Sequence, residues 1–306
     1  MPSIRQLQYL VTLSEELHFR RAAERVNVTQ PTLSMQIQQL EKRLKVSLVE
    51  RGSGSVTLTP LGREVAERAR RVLAEVKDIV DLATSSQHGL HGTVRLGVAP
   101  TLGPYLLPHI VPELHASHPD LRLYVREDKP GELQAQLQSG TFDLIISPLP
   151  INQADLEVER MFREPLLIVA AHDHPLARKK KIAPDDLKGV NILTIEKGHH
   201  LHEQVRRICD EFGAIPMRDY EGTSLDTLRL MVGMGVGVAF LPALYVRSEI
   251  GNREEVATLA VQTPSLHRQV GIAWRKRSVH ADKFSEVAEL IRKTASHKLR
   301  EVTVIR

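Results

Sequence analysis

The sequence holds a single cysteine, Cys209, so it can close no disulfide within the chain and offers no cysteine-rich metal site. It has no run of the roughly 18 uninterrupted apolar residues that a membrane-spanning helix requires. Its first residues, MPSIRQLQYLVTLSEELHF, reach Glu15 and Glu16 without the long apolar run and small-residue cleavage site of a signal peptide. The expected location is the cytoplasm, with no membrane partner. Also missing are a Gly-rich phosphate loop, a nucleophile elbow and a carboxylate pair spaced for acid–base chemistry. Ser147 or Ser224 with a histidine would be a hydrolase only if geometry joined them, and sequence supplies none. The chain reads as a non-enzyme without catalytic residues, cofactor or resident metal.

At 306 residues it exceeds the size at which one hydrophobic core keeps growing, so two or more domains are expected. The net charge is only +4, but it is unevenly placed. Between Arg20 and Arg51 stand seven basic residues (Arg20, Arg21, Arg25, Lys42, Arg43, Lys45, Arg51) against three acidic ones (Glu24, Glu41, Glu50), a difference that equals the excess of the whole chain. Such a concentration suits either a polyanionic partner or a solvated face.

Apolar residues at Leu7, Leu10, Val11 and Leu17 follow a helical period, and FRRAAERV predicts a second short helix, with Ala22 and Ala23 small enough for a crossing helix to approach. After NVT, the segment QPTLSMQIQQLEKRL resumes the period at Leu33, Ile37, Leu40 and Leu44. Thr29 suits an N-cap, and Pro31 is tolerated in the first turn, where an N–H would lack a partner anyway. Two helices joined by so short a turn make a helix-turn-helix. Gln30, Thr32, Ser34, Gln36 and Gln38 would then offer amides and hydroxyls to base edges, with Arg20 and Arg51 at phosphates. The plain alternative is a three-helix bundle with a polar outer face. VSLVERGSGSVTLTP reads as two short strands around a turn, the form of a wing. Thr59 and Pro60 then open a helix of about 25 residues whose apolar positions, from Leu61 to Ala83, keep nearly a heptad spacing and call for a dimeric partner. SSQHGLHG reads as a linker.

From Thr93 strands and helices alternate, in two similar sets. This predicts two α/β lobes with a cleft between them. Ligands in such folds sit at the carboxyl ends of strands, near helix N-termini. The segments leaving those ends are APTLG, SPLP, EKGHH and EGTSL. The candidate ligand-lining residues are therefore Pro100, Thr101, Leu102, Ser147, Pro148, His199, His200, Leu201 and Thr223, with Phe240 from the strand GVAFLP.

The stretch FRRAAERVNVTQPTLSMQIQQLEKRLKVSLVERGSGSVTLTPLG carries paired alanines, Gln-Pro-Thr-x-Ser, Leu-Glu, the wing Arg51 and Thr-x-x-Gly at the start of the long helix. On these residues the chain resembles the LysR-type transcriptional regulators over essentially its whole length. Met35 departs from the family, many of whose members have Arg there. The resemblance implies a winged helix-turn-helix over 1–58, a dimerising linker helix and hinge over 59–91, and a periplasmic-binding-protein-like effector domain over 92–306. Its lobes would be about 92–162 with 268–306, and about 163–267. It further implies a homodimer assembling to a homotetramer on double-stranded promoter DNA, often as an activator, with RNA polymerase and a small-molecule effector as partners. The DNA contacts it points to are Arg20, Thr29, Gln30, Pro31, Thr32, Ser34, Gln36 and Arg51.

Within that family, APTLGPYLLPHIVPELHASHPDLRLYVRED and GTSLDTLRLMVGMGVGVAFLPAL are most similar to the OxyR-type peroxide sensors. Those sensors read Gly-His-Cys-Leu where this chain reads GHHL, so the resemblance puts His200 at the reactive cysteine's place and Cys209 at the resolving cysteine's place. A disulfide switch needs two sulfurs and an imidazole forms no sulfenic acid, so that mechanism is excluded.

In the helix after Gly198, Val205, Ile208, Cys209 and Phe212 share one face, so Cys209 is expected to be a buried small hydrophobe. The alternative is a redox regulator acting through this lone thiol, which would need exposure and a lowered pKa. His199 and His202 have acceptable metal spacing but no evident third ligand, and read as cap or loop residues. His199 and His200 are expected to line the cleft, donate N–H groups to a small polar or anionic ligand, and gain from partial protonation near neutral pH, with Thr101 and Thr223 facing them. A solute-binding transport component would share the two-lobe fold, but not the N-terminal helix-turn-helix.

Overall fold

The computed structural model describes residues 1–51, 56–84, 92–152, 154–179, 181–251, 255–259, 261 and 266–305, and at 51, 78, 81–84 and 92 the backbone alone. The linker read at 85–91 and the wing tip at 52–55 lie outside the described residues. The chain divides into two compact units, the first holding residues 1–88 and the second most of the remainder.

The first unit opens with α1 (Ile4–Glu16), started by a capping box in which the Ser3 hydroxyl accepts from the Gln6 backbone N–H at 3.2 Å and the Gln6 side chain accepts from the Ser3 N–H. Helices α2 (Phe19–Arg25) and α3 (Gln30–Leu44) follow. Leu10, Leu13, Ala22, Ala23, Leu33 and Ile37 are all buried where these helices meet, the two alanines permitting the close crossing. Strands β1 (Val49–Arg51) and β2 (Val56–Leu58) pair antiparallel, as a wing should. The Glu41 carboxylate accepts from the backbone N–H groups of Leu48 and Val49, at 2.8 and 3.1 Å, and so ties the wing's base to α3. Thr59 caps α4 (Pro60–Thr84) through the Gly62 N–H at 2.8 Å, and any side chain at Gly62 would collide with the Leu48 carbonyl oxygen. That collision is the physical content of the Thr-x-x-Gly motif. Helix α4 runs for 25 residues, about 38 Å. Its N-terminal half packs on the unit through Ala66 and Ala69, whereas Val72, Ile79 and Val80 are exposed.

The second unit contains, in order, β3 (Gly92–Val98), α5 (Gly103–Ser117), β4 (Leu121–Glu127), α6 (Pro130–Gln138), β5 (Leu144–Pro148), β6 (Leu156–Ala171), β7 (Asn191–Ile195), α7 (His200–Phe212), β8 (Ile215–Gly222), α8 (Leu225–Gly233), β9 (Val238–Pro242), the short α9 (Ala243–Tyr245), β10 (Val256–Leu259), β11 (His267–Arg275), α10 (Ala281–Lys298) and β12 (Thr303–Val304). The strands hydrogen-bond along the order β4-β3-β5-β11-β6-β9-β7-β8, with β10 and β12 also on β6. Neighbours within β4-β3-β5 and within β9-β7-β8 are parallel, while β6 and β11 run antiparallel to their partners.

Two hydrophobic cores result. One gathers residues such as Leu96, Ile145, Phe162 and Trp274, the other Ile168, Leu193, Val205 and Phe240. Strands β6 and β11 pass between them: Phe162 of β6 and Val270 of β11 belong to the first, Leu166 of β6 and Leu266, just before β11, to the second. Strand β6 is far longer than LLIVAA alone predicts, beginning at Leu156. Its first half is charged on one side because Glu159 turns outward to pair with Arg292 at 2.6 Å. Among the described residues no helix is long and apolar enough to cross a membrane.

Candidate functional site

On α3 the buried residues Leu33, Ile37 and Leu40 fix which side faces outward. At about 100° per residue the opposite line is Pro31, Met35, Gln38 and Lys42, all exposed. Alternating positions 30, 32, 34, 36 and 38 therefore cannot share one face. Gln30 is exposed at the helix start and Ser34 borders the outward line. Thr32 is half-buried, with its hydroxyl 2.8 Å from that of Thr29, the N-cap. Gln36 is likewise half-buried, and its amide oxygen accepts from Gln6 Nε2 at 3.1 Å, which commits it to α1. That bond occupies the amide oxygen alone, so the base contact expected of Gln36 falls to its amide NH2 group. Met35, 49% exposed, stands at the centre of the outward face. Arg20 is exposed and paired with Glu24 at 3.0 Å, a surface contact weak enough to exchange for a phosphate. The Arg51 side chain lies outside the described residues.

In the second unit a cavity of about 1050 Å³ is walled by elements of both cores. One wall is α7, presenting His200, Gln204, Arg207 and Ile208; the other is the segment after β5 with Val158 and Arg160 of β6. His267, Arg268 and Gln269 of β11 complete it. The Gln204 side chain donates to the His267 carbonyl at 2.8 Å, fastening the helix to β11.

Of the residues expected at a ligand, Pro148 and His200 line this cavity. They touch each other: His200 Nδ1 lies 2.8 Å from the Pro148 carbonyl oxygen. A carbonyl only accepts, so Nδ1 carries the proton, and burial lowers the His200 pKa below its ordinary value. With Nδ1 engaged by the backbone, Nε2 is the ring nitrogen left to meet a ligand. His199 is buried as the N-cap of α7, with its pKa lowered first by burial and then by Lys129. Its Nδ1 has no hydrogen-bond partner and its Nε2 is 3.9 Å from Glu196. His202 is buried as well, its Nδ1 donating to the Ile195 carbonyl at 2.8 Å. Among the described residues no three His, Cys, Asp or Glu side chains are grouped to hold a metal ion.

Thr101 does not face the cavity directly. Its hydroxyl and carbonyl oxygens accept from Arg268 at 2.9 and 2.8 Å, and Arg268 Nε donates to Glu164 at 2.8 Å in an ion pair that is 3% and 0% exposed. The second Glu164 oxygen accepts from the Leu244 N–H at 2.9 Å, so one buried network joins β3's exit, β6, β11 and α9. Ser147 is buried beneath, donating to the Pro148 carbonyl at 3.1 Å. Leu102 fills the first core, and Leu201 and Phe240 fill the second, so none of these three lines the cavity. Thr223 is exposed and Pro100 half-buried, both away from the lining. The strand-end rule marks which loops approach a cleft, not which side chains are already spent on the cores. Arg160, Gln204, Arg207 and Arg268 were absent from the expectation, since the rule looks only at segments leaving strand ends, whereas Arg160 lies within β6, Arg268 at the start of β11, and Gln204 and Arg207 further along α7.

Cys209 is 1% exposed in the second core, and burial pushes its thiol up to about 11. This is the inert buried cysteine that the spacing predicts.

Comparison with known proteins places these features. Residues 4–63 match the model of the bacterial regulatory helix-turn-helix protein, lysR family, and residues 87–296 match the LysR substrate binding domain. The DNA-binding transcriptional dual regulator OxyR of Escherichia coli is 42% identical over 291 residues, 95% of each chain. The HTH-type transcriptional regulator EstR of Acinetobacter baylyi is 32% identical over 296 residues, 96% of this chain and 97% of that one. A full-length OxyR variant from Pseudomonas aeruginosa has a similar structure, with a TM-score of 0.79 at 35% identity, covering 95% of this chain and 94% of that one. With both models matched and relatives aligned end to end, the chain belongs to the LysR family of bacterial helix-turn-helix transcriptional regulators.

Proposed function

We propose that this regulator reads double-stranded promoter DNA with the outward face of α3 and the β1–β2 wing, and answers a small molecule held in the cavity along α7. The observation that carries the reading is a cavity walled by two separate cores and joined across them by the His200–Pro148 hydrogen bond. A ligand there touches both cores and so favours one arrangement of them over another, which requires different affinity for the two. The exposed Val72, Ile79 and Val80 of α4 support a homodimer through that helix. Assembly to a homotetramer, activation through RNA polymerase and a cytoplasmic location belong to the same reading. The regulatory domain acts as a binding module, not an enzyme. Several relatives are named as activators of hydrogen-peroxide-inducible genes. This chain has one cysteine, buried and held protonated, so the effector reading is preferred to a thiol switch.

The test is fluorescence anisotropy with duplexes selected from a random pool, in the presence of pooled small metabolites and, separately, of peroxide. A metabolite that changes DNA affinity in the wild type but not in His200→Ala is the expected result. A peroxide effect that disappears in Cys209→Ser would replace this reading with the thiol.

A further inference from the structure

Helix α3 turns one large apolar side chain to solvent. Leu33, Ile37 and Leu40 are buried and Leu44 is half-buried, but Met35 is exposed in the middle of the outward line, one turn after Pro31 and one turn before Gln38. Met35 is neither part of the first unit's hydrophobic core nor packed against it. Lys42, also exposed, continues the outward line, and exposed Arg43 and Lys45 follow at the helix end. The charge of this face thus sits at its C-terminal end, while at its centre stands a thioether that has no proton to donate.

We propose that Met35 is a specificity-determining residue that reads the 5-methyl group of a thymine in the major groove. The inference rests on the reading of α3 at the bases and names one base that this helix selects. Base pairs present hydrogen-bond donors and acceptors to the major groove and, at thymine alone, an apolar group. Against guanine O6, cytosine N4 or adenine N6, the Met35 side chain strips water from a polar edge and returns at best a weak sulfur contact, which costs free energy. Against a methyl group it forfeits no hydrogen bond, and apolar surface is removed from water on both partners. Three rotatable bonds let the unbranched chain settle on the methyl without a shift of the helix. The polar edges of neighbouring bases fall to other groups, among them the NH2 of Gln36, whose amide oxygen alone is held by Gln6.

The experiment uses the full chain and a duplex selected from a random pool, with each thymine replaced in turn by deoxyuridine, which removes the methyl group and keeps every hydrogen-bonding atom. Dissociation constants are measured by fluorescence anisotropy at one fixed salt concentration, since affinities at different salt are not comparable. At one or more thymines the replacement should weaken the wild type about three- to fivefold, the effect of one buried methyl group. The same replacement should leave Met35→Ala and Met35→Gln unaffected, whereas Met35→Leu should keep the sensitivity. Any effect of the missing methyl on DNA shape persists in Met35→Ala and is thereby separated from the contact. In the cycle of Met35→Ala with deoxyuridine, the combined loss should not exceed the larger single loss. At that position 5-methylcytosine should be bound more tightly than cytosine by the wild type and equally by Met35→Ala. Because Met35 is exposed, all three variants should melt with the wild type. A scan in which no thymine loses more affinity in the wild type than in Met35→Ala, or additive losses throughout the cycle, would overturn the proposal while leaving α3 at the bases. A wild type that binds selected and scrambled duplexes equally would reject the underlying reading, and the proposal with it.

Discussion

His200 Nδ1 donates to the Pro148 carbonyl oxygen at 2.8 Å, so the first turn of a helix packed on one core is hydrogen-bonded to the strand end of the other. Truncating this side chain should cost about 0.5–1.5 kcal/mol, the usual net value of one such bond. Urea unfolding of His200→Ala against the wild type measures it, and a variant as stable as the wild type would mean that the two elements are not coupled through this contact.

The Arg268–Glu164 pair is buried at the crossing of β6 and β11 and also positions Thr101. Removing one member strands the other, so Glu164→Gln or Arg268→Met should each cost about 3–5 kcal/mol. The double variant should lose less than the sum of the two, because no charge is then left unpaired. Additive losses in a double-mutant cycle would show that the ion pair itself contributes little.

Cys209 should resist modification in the folded protein. With burial pushing its thiol up to about 11, labelling by a disulfide reagent at pH 7.5 should proceed only at the rate of unfolding. Cys209→Ser should destabilise by about 1–3 kcal/mol, since it places a hydroxyl in an apolar core. Rapid stoichiometric labelling of the native chain would contradict the burial.

Stability should fall on mild acidification. His199 and His200 have folded pKa values lowered from 6.5, chiefly by burial. As pH drops through about 6.5 the unfolded chain takes up protons that the folded chain refuses, so their stabilising share is present above that pH and is lost toward the lower folded values. Each contributes a slope of at most about 1.4 kcal/mol per pH unit. Urea midpoints at pH 7.5 and 5.5 should converge in His199→Gln relative to the wild type, and an undiminished difference would assign the pH dependence elsewhere.

Local patterns announced much of this fold. The 3.6-residue period located α3, the Thr59–Pro60 pair marked the start of α4, and the short alternations marked β1 and β2, because each is decided by neighbours in sequence. The first half of β6 was not legible, since Glu157, Glu159, Arg160 and Glu164 look like a polar connector until Arg292 and Arg268 arrive from more than a hundred residues away. The same distance hid the cavity: Arg160 and Arg207 share it only after β6 and α7 are placed. Gln36 shows the converse, a residue whose type suited a base edge but whose amide oxygen α1 had already engaged.

DNA reading by α3 is tested most directly by the ratio of dissociation constants for a selected and a scrambled duplex at one fixed salt concentration. The wild type should prefer the selected duplex by about 10³ or more. Replacing Gln38 on the outward face and Ser34 at its border together, Ser34→Ala and Gln38→Ala, should reduce that ratio about 10- to 100-fold while leaving the melting midpoint and the weak binding to scrambled DNA unchanged. A ratio that survives both substitutions intact would contradict the placement of α3 at the bases.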